Sequence, residues 1–281
     1  MSRVLRWLRN AVIAVVALVV LAAIAVFAMS ELALRRSYPV RGTAVAVPAD
    51  SSSIAEGERL ARIRGCPGCH ESRLEGGMFV DDPKIARIAA PNLTKAVRAY
   101  SDAELEGIIR HGVRPDGRSV LAMPSDMFRL LDDADLGKIL AYLHSAPEVP
   151  GLGRMVKPGP LGRLGLALGQ YNPAAKDVRL VESVSDSFPA AGSPLARGAY
   201  LARTVCTECH GVTLAGGGKI PDLRIAAGYS REQFVRLMRT GVGLGERQLG
   251  LMGEVARGRF SHFTDEEIEA LYAFLQSRAK T

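Results

Sequence analysis

The chain has 281 residues, enough for one large domain or two ordinary ones, and its 48% hydrophobic and 23% charged residues exclude wholesale disorder. Its net charge of +7 does not mark a nucleic-acid surface. Residues 1–36 hold five arginines and one glutamate, the rest of the chain carries only +3, and no Lys/Arg-rich run with interleaved aromatics occurs.

At the amino terminus, Arg3, Arg6 and Arg9 precede an uncharged apolar run of 19 residues from Ala11 to Met29. As a helix this run reaches about 28 Å, close to the roughly 30 Å hydrocarbon core of a bilayer. Trp7 sits where an interfacial aromatic helps. A cleaved signal peptide has a shorter apolar stretch, about 7–15 residues, ending in a small-x-small site. Here the clean Ala-x-Ala, Ala23 to Ala25, lies inside the run. Residues 1–36 are therefore expected to be an uncleaved, single-pass membrane anchor.

The remainder contains one module twice. "GERLARIRGCPGCH" at 57–70 matches "GAYLARTVCTECH" at 198–210, and "APNLT" at 90–94 matches "IPDLR" at 220–224. Residues 100–123 match 229–252 without a gap, and 128–143 match 260–275. The shared blocks predict helices. Ser101 with Glu104, Ser230 with Gln233, and Thr264 with Glu267 each form a capping-box pattern. Apolar residues follow each cap at helical spacing, for example Ile268, Leu271, Tyr272 and Leu275. Sustained period-two alternation is absent, so both modules are expected to be mainly α. The expected domains are residues 37–146 and 196–281. The Pro- and Gly-rich stretch 147–195 between them reads as a linker, in which "LGRLGLALG" could form a short helix packed on a module.

All four cysteines lie in the two repeated motifs, Cys66-Pro-Gly-Cys69-His70 and Cys206-Thr-Glu-Cys209-His210, so none is left for a scattered disulfide framework. A zinc knuckle also begins C-x-x-C, but its histidines usually stand at a distance. A thioredoxin-like dithiol needs a βαβ setting that this sequence lacks. Covalent haem suits the pattern best: two thiols add to the two vinyl groups, and the adjacent histidine is forced under the iron. Two covalently bound haem c groups are therefore expected, attached at Cys66, Cys69, Cys206 and Cys209, with His70 and His210 as iron ligands. The repeat also points to the opposite ligand. Gly112 to Met123 and Gly241 to Met252 are both 11 residues, so these methionines are equivalent, whereas Met127 aligns with none. His111, His144 and His262 are not duplicated and read as helix-end or surface residues. A thioether opposite imidazole raises the potential and fills the sixth coordination site. That favours an electron carrier over a catalyst. The rival is a dihaem redox enzyme of peroxidase or thiosulfate-oxidising type, with one labile ligand.

In both modules the sequence resembles the class I c-type cytochromes, through C-x-x-C-H after a helix, then "APNLT", "GVRPDGRSVLAMP" and a last helix with an aromatic, "LAYLHS". The second module differs in having "GLMGEVARGRF" where the first has "LAMPSDMF". The resemblance implies two tandem class I cytochrome c domains. It also implies that the helix carrying Gly57 or Gly198 crosses the last helix near Tyr142 or Phe274. The carbonyl of Pro91, and its counterpart on Pro221, should accept a hydrogen bond from the ligand histidine. The arrangement is similar to the membrane-bound multihaem cytochrome subunits of periplasmic alcohol and aldehyde dehydrogenases, which typically carry three modules where this chain has two. Implied partners are redox proteins or a dehydrogenase or oxidase complex, and the membrane, without nucleic acid. Haem attachment of this kind is completed outside the bacterial cytoplasmic membrane, which implies both modules on the periplasmic side.

Overall fold

The computed structural model describes residues 2–39, 42–182 and 192–279. Helix α1 (Arg3–Arg35) starts where the Ser2 side chain accepts from the Leu5 N–H and runs without interruption through the apolar stretch. Its side chains face outward, and Ser30 is its buried residue. Among the described residues it is the helix long and apolar enough to cross a membrane.

The first module follows in chain order. Helix α2 (Ser51–Ile63), capped by Asp50, leads to the short α3 (Cys66–His70). A hairpin of β1 (Met78–Asp82) and β2 (Ala86–Ala89) precedes α4 (Leu93–Ala99), α5 (Asp102–His111), α6 (Ser125–Phe128) and α7 (Asp133–Ser145). Helices α2 and α7 cross at Gly57, where a Cβ would collide with the Lys138 carbonyl and meet the Tyr142 side chain. Glycine is what allows the two backbones to approach so closely.

Residues 147–195, expected as a linker, carry ordered elements on the first module: β3 (Met155–Pro158), α8 (Pro160–Ala167) and α9 (Ala174–Glu182). Strand β3 pairs antiparallel with β2, Ala86 opposite Pro158 and Ala89 opposite Met155, giving the sheet order β1-β2-β3. Helix α8 packs on α1, and α9 on α6. The glycines that read as linker flexibility are sites of close approach. A Cβ on Gly151, Gly159 or Gly162 would strike the carbonyl of Glu75, Pro83 or Ile85. The part of the expected linker at 183–191 lies outside the described residues.

The second module is α10 (Ala196–Leu201), a π-helical stretch Ala202–Cys206, α11 (Thr207–His210), a 3-10 stretch Leu223–Gly228, α12 (Arg231–Thr240), α13 (Gly250–Gly258) and α14 (Asp265–Arg278). Gly198 repeats the role of Gly57: a Cβ there would collide with the Ala270 carbonyl and press on Phe274. All three capping boxes expected from the sequence form, at α5, α12 and α14. The chain is mainly α, as expected. Each module has its own apolar core, with one exchange: Ile63, at the end of α2, is fully buried in the core of the second module.

Candidate functional site

Both motifs are reached from the helix that carries the crossing glycine. In the first module α2 ends at Ile63, and Gly65 turns left-handed (φ 80°) to start α3 at Cys66. In the second, one residue fewer separates glycine from cysteine, and the helix reaches Cys206 through the π-helical stretch instead. After each histidine the chain folds back identically. The N–H of Gly76 donates to the His70 carbonyl, and that of Gly216 to the His210 carbonyl, at 3.0 and 2.9 Å. Leu74 and Leu214, both fully buried, hold matching positive φ of 62° and 59°. Strained non-glycine backbone of this kind concentrates at functional sites. Nothing in the sequence flagged these leucines, because leucine carries no signal for a left-handed conformation.

This fold-back brings Pro91 and Pro221 to the histidines. His70 Nδ1–H donates to the Pro91 carbonyl and His210 Nδ1–H to the Pro221 carbonyl, each at 2.8 Å. With Nδ1 holding the proton, Nε2 keeps its lone pair for a metal. Burial lowers the His70 pKa, outweighing the upward pull of the Pro91 hydrogen bond, and so favours the neutral, ligating form.

Cys66, Cys69, His70 and Met123 line one cavity of about 540 Å³ in the first module. Its walls are mostly apolar, including Val97, Leu105, Phe128 and Ile139, with Gly151–Val156 of the expected linker closing one side. Arg64, Arg114, Arg154 and Lys95 also line it, with Glu208 as the acidic lining residue. Among the described residues, Arg64 Nε and Nη1 and Arg114 Nε are buried without a hydrogen-bond partner. An apolar slot with two thiols, an imidazole held for ligation, a thioether and orphaned arginine donors fits a large planar cofactor that bears carboxylates. Met127 is 1% exposed, is packed in the core and does not line the cavity.

In the second module, His210 is buried, and Cys206 and Met252 pack against the same apolar core. Met252 lies in the first turn of α13, whereas Met123 lies in a loop. Pro124 explains the difference. It disfavours helix at Met123, and the helix begins only after it; Gly253 imposes no such restriction after Met252.

The rival chemistries find little support in this geometry. Burial pushes the Cys66 thiol up to about 11 and Cys206 up to about 12. Catalytic dithiols need a lowered pKa. Among the described residues no three His, Cys, Asp or Glu converge into a metal cage. The unduplicated histidines sit at helix ends and turns: His144 Nε2 meets Asp102 at 2.7 Å, His111 Nε2 lies 3.6 Å from Glu106, and His262 is in a 3-10 turn.

The Cytochrome c family profile matches residues 54–147 and 195–279. This chain belongs to the cytochrome c family. Membership implies covalently bound haem c. The chain is 27% identical over 281 residues to the cytochrome c subunit of the alcohol dehydrogenase (quinone) of Gluconacetobacter polyoxogenes, covering 84% of this chain and 58% of that protein. It is 26% identical to the gluconate 2-dehydrogenase cytochrome c subunit of Pantoea cypripedii, over 82% of this chain and 60% of that protein. It is 25% identical to the fructose dehydrogenase cytochrome subunit of Gluconobacter japonicus, over 80% and 52%. The chain thus spans somewhat more than half the length of these relatives.

In this cytochrome the two C-x-x-C-H motifs approach each other at the junction between modules. Arg259, from the second module, donates through Nε to the Ile63 carbonyl (3.0 Å) and through Nη1 to Glu208 (2.8 Å). Glu208 is inside the second motif, yet it lines the first module's cavity. The Arg259 charge pulls down the pKa of all four cysteines, although burial keeps each above its usual value. Two further locks hold the modules together. Arg64 and the Tyr200 hydroxyl both donate to Asp135 Oδ2, at 2.9 and 2.7 Å. Arg59 bridges Glu56 and Glu267, and donates to the His262 carbonyl. Repeat alignment could not reveal these contacts, because each joins residues that are not equivalent in the two modules.

Proposed function

We propose that this chain is a membrane-anchored dihaem electron carrier that accepts electrons from a periplasmic dehydrogenase and passes them on to a respiratory acceptor. It would hold one haem at Cys66, Cys69, His70 and Met123 and a second at Cys206, Cys209, His210 and Met252. Each bound haem supplies a one-electron Fe(III)/Fe(II) couple. The cysteines would attach it covalently. Pro91 and Pro221 hold the histidine tautomers, and the apolar cavity wall of the first module would keep water from a bound iron. The approach of the two motifs at Arg259, which binds the Ile63 carbonyl just before the first and Glu208 within the second, is the observation that supports the reading, because groups attached at both would lie close within one chain. The cytochrome-subunit relatives support a carrier rather than the dihaem-enzyme alternative. Helix α1 would cross the bacterial cytoplasmic membrane once, with residues 37–281 on the periplasmic side.

The test is the intact mass of the full-length protein with optical spectra of both redox states. Two covalent haems per chain and two His/Met signatures are expected. The Cys66→Ala/Cys69→Ala pair should leave one haem, and so should the Cys206→Ala/Cys209→Ala pair. A mass without covalent haem, or high-spin iron in either module, refutes the proposal.

A further inference from the structure

We infer that α8 is a second membrane contact, with its Leu161–Leu164–Leu168 face seated in the lipid headgroup region beside the end of α1. The inference rests on the reading of α1 as a membrane anchor. One flank of α8 faces α1. Arg163 Nη1 donates to Ser30 Oγ (2.9 Å) and to Glu31 Oε2 (3.0 Å), and its guanidinium carbon lies 4.2 Å from the centroid of the Phe27 ring. That contact sets the depth of α8. The apolar run ends at Met29, and Glu31 is the first charge after it, so Arg163 sits at the boundary between hydrocarbon and headgroups. The inner flank of α8 is closed against the first module. Gly162 abuts the Ile85 carbonyl, Gly165 lies against the Tyr171 ring, and Leu166 is buried.

The leucines are what remain. Leu161, Leu164 and Leu168 are 55%, 40% and 64% exposed. Their spacing of three and four residues places them on one stripe of the helix. The stripe is about 10 Å long, so none of it lies far from the boundary that Arg163 marks. Its neighbours suit the same level. Tyr171 is 56% exposed at the end of the helix, where an aromatic with a polar tip favours the interface. Ile85 is 41% exposed in the turn that α8 touches, beside the exposed Lys84, whose carbonyl accepts from the Leu161 N–H. A cation there attracts anionic headgroups. An apolar stripe continuous with a membrane-spanning helix, at interface depth and flanked by tyrosine and lysine, matches a helix lying in the plane of the bilayer surface. With α1 it would give the first module two attachments and hold it at a fixed height and tilt.

The experiment uses full-length haem-loaded protein in vesicles of phosphatidylglycerol and phosphatidylcholine. The photoreactive p-benzoylphenylalanine replaces one residue at a time: Leu164, Leu168, Leu18 within α1, or the exposed Ile225 of the second module. Covalent haem content reports folding of each variant. Lipid adducts at 164 and 168, with yields near that at 18 and several-fold above that at 225, are expected. Lipid at 18 without lipid at 164 and 168 overturns the inference and leaves the anchor standing. Lipid at neither place overturns both. When the experiment is repeated in native membranes, protein adducts in place of lipid at 164 and 168 also overturn it, since a subunit would then cover the stripe.

Discussion

The two modules share a histidine loop and its helical frame and differ in how the chain travels from the histidine to the proline that holds it. In both, a glycine crossing, a C-x-x-C-H turn, a positive-φ leucine and a proline carbonyl 2.8 Å from Nδ1 recur. Yet Pro91 is 21 residues beyond its histidine and Pro221 only 11 beyond. The additional residues of the first module form the β1–β2 hairpin, which β3 then extends and the segment 151–156 closes over the cavity. The second module spans the same interval with a short turn and a 3-10 stretch. Positioning of the two histidines thus depends on a short local loop, whereas the enclosure of the first module's cavity depends on an insertion added separately.

The largest effect that can break this comparison is loss of the sixth ligand. Met123→Ala and Met252→Ala should each remove one His/Met charge-transfer signature and lower one midpoint potential on the order of 100 mV, within the ~0.8 V span that axial ligands set. Met127→Ala should leave both potentials in place and instead lower stability by about 2–5 kcal/mol, because its side chain is 1% exposed. Redox titration and thermal melts of the three variants separate these outcomes. A lost signature in Met127→Ala with Met123→Ala unaffected would show the repeat register to be wrong.

The approach to the motif offers a second test. Gly65 has φ 80°, and a Cβ there would lie 2.7 Å from Arg259 Cζ. Gly65→Ala should cost about 1–2 kcal/mol from backbone strain alone, and more through the displaced arginine. A melting temperature equal to that of the parent protein would show that the left-handed turn is not needed. The second module has no glycine to substitute there, since its π-helical stretch absorbs the register change.

Arg259 probes what the modules share. Arg259→Gln should lower both midpoint potentials together, by tens of millivolts, since removing a cation near both motifs costs each reduced-state advantage on the order of 1 kcal/mol. A shift confined to one haem would mean that the charge is not shared.

The smallest expected effect is a pH dependence of the junction. Burial of Glu267 raises its pKa, but the hydrogen bonds from Arg59 and the Thr264 N–H, with the charges of Arg59 and Arg197, outweigh this, and the net value is lowered. A carboxylate with a lowered folded pKa contributes stability that is complete above its unfolded pKa, about 4.3, and is lost as pH falls through the folded value. Acid should therefore loosen the contact of α2 with the 262–267 segment. Amide protection factors in α2 should fall on lowering the pH in the parent protein and become less pH-dependent in Glu267→Gln.

Much of the site was legible because its chemistry is local. Cys66, Cys69 and His70 are bound by covalent spacing, and the repeat put Met123, not Met127, in register with Met252. The structure places Met123 at the cavity and Met127 in the core. Capping boxes were equally readable, since a cap and its partner are three residues apart. Residues 147–195 were legible only at "LGRLGLALG", which forms most of α8. Their glycines and prolines have the composition of a linker, and only a partner backbone distinguishes a flexible glycine from one at a close approach.

The sequence by itself therefore determined the repeat, the two C-x-x-C-H motifs, the helical character and the apolar amino-terminal helix, because each depends on spacings within a few turns of chain. The tertiary structure alone decided that Ile63 lies in the other module's core, that Arg259 joins the two motifs, that β3 completes a sheet, and that α8 docks on α1. Those contacts join residues up to 196 apart. No local periodicity encodes them; they follow from which surfaces remain to be covered once each module has folded.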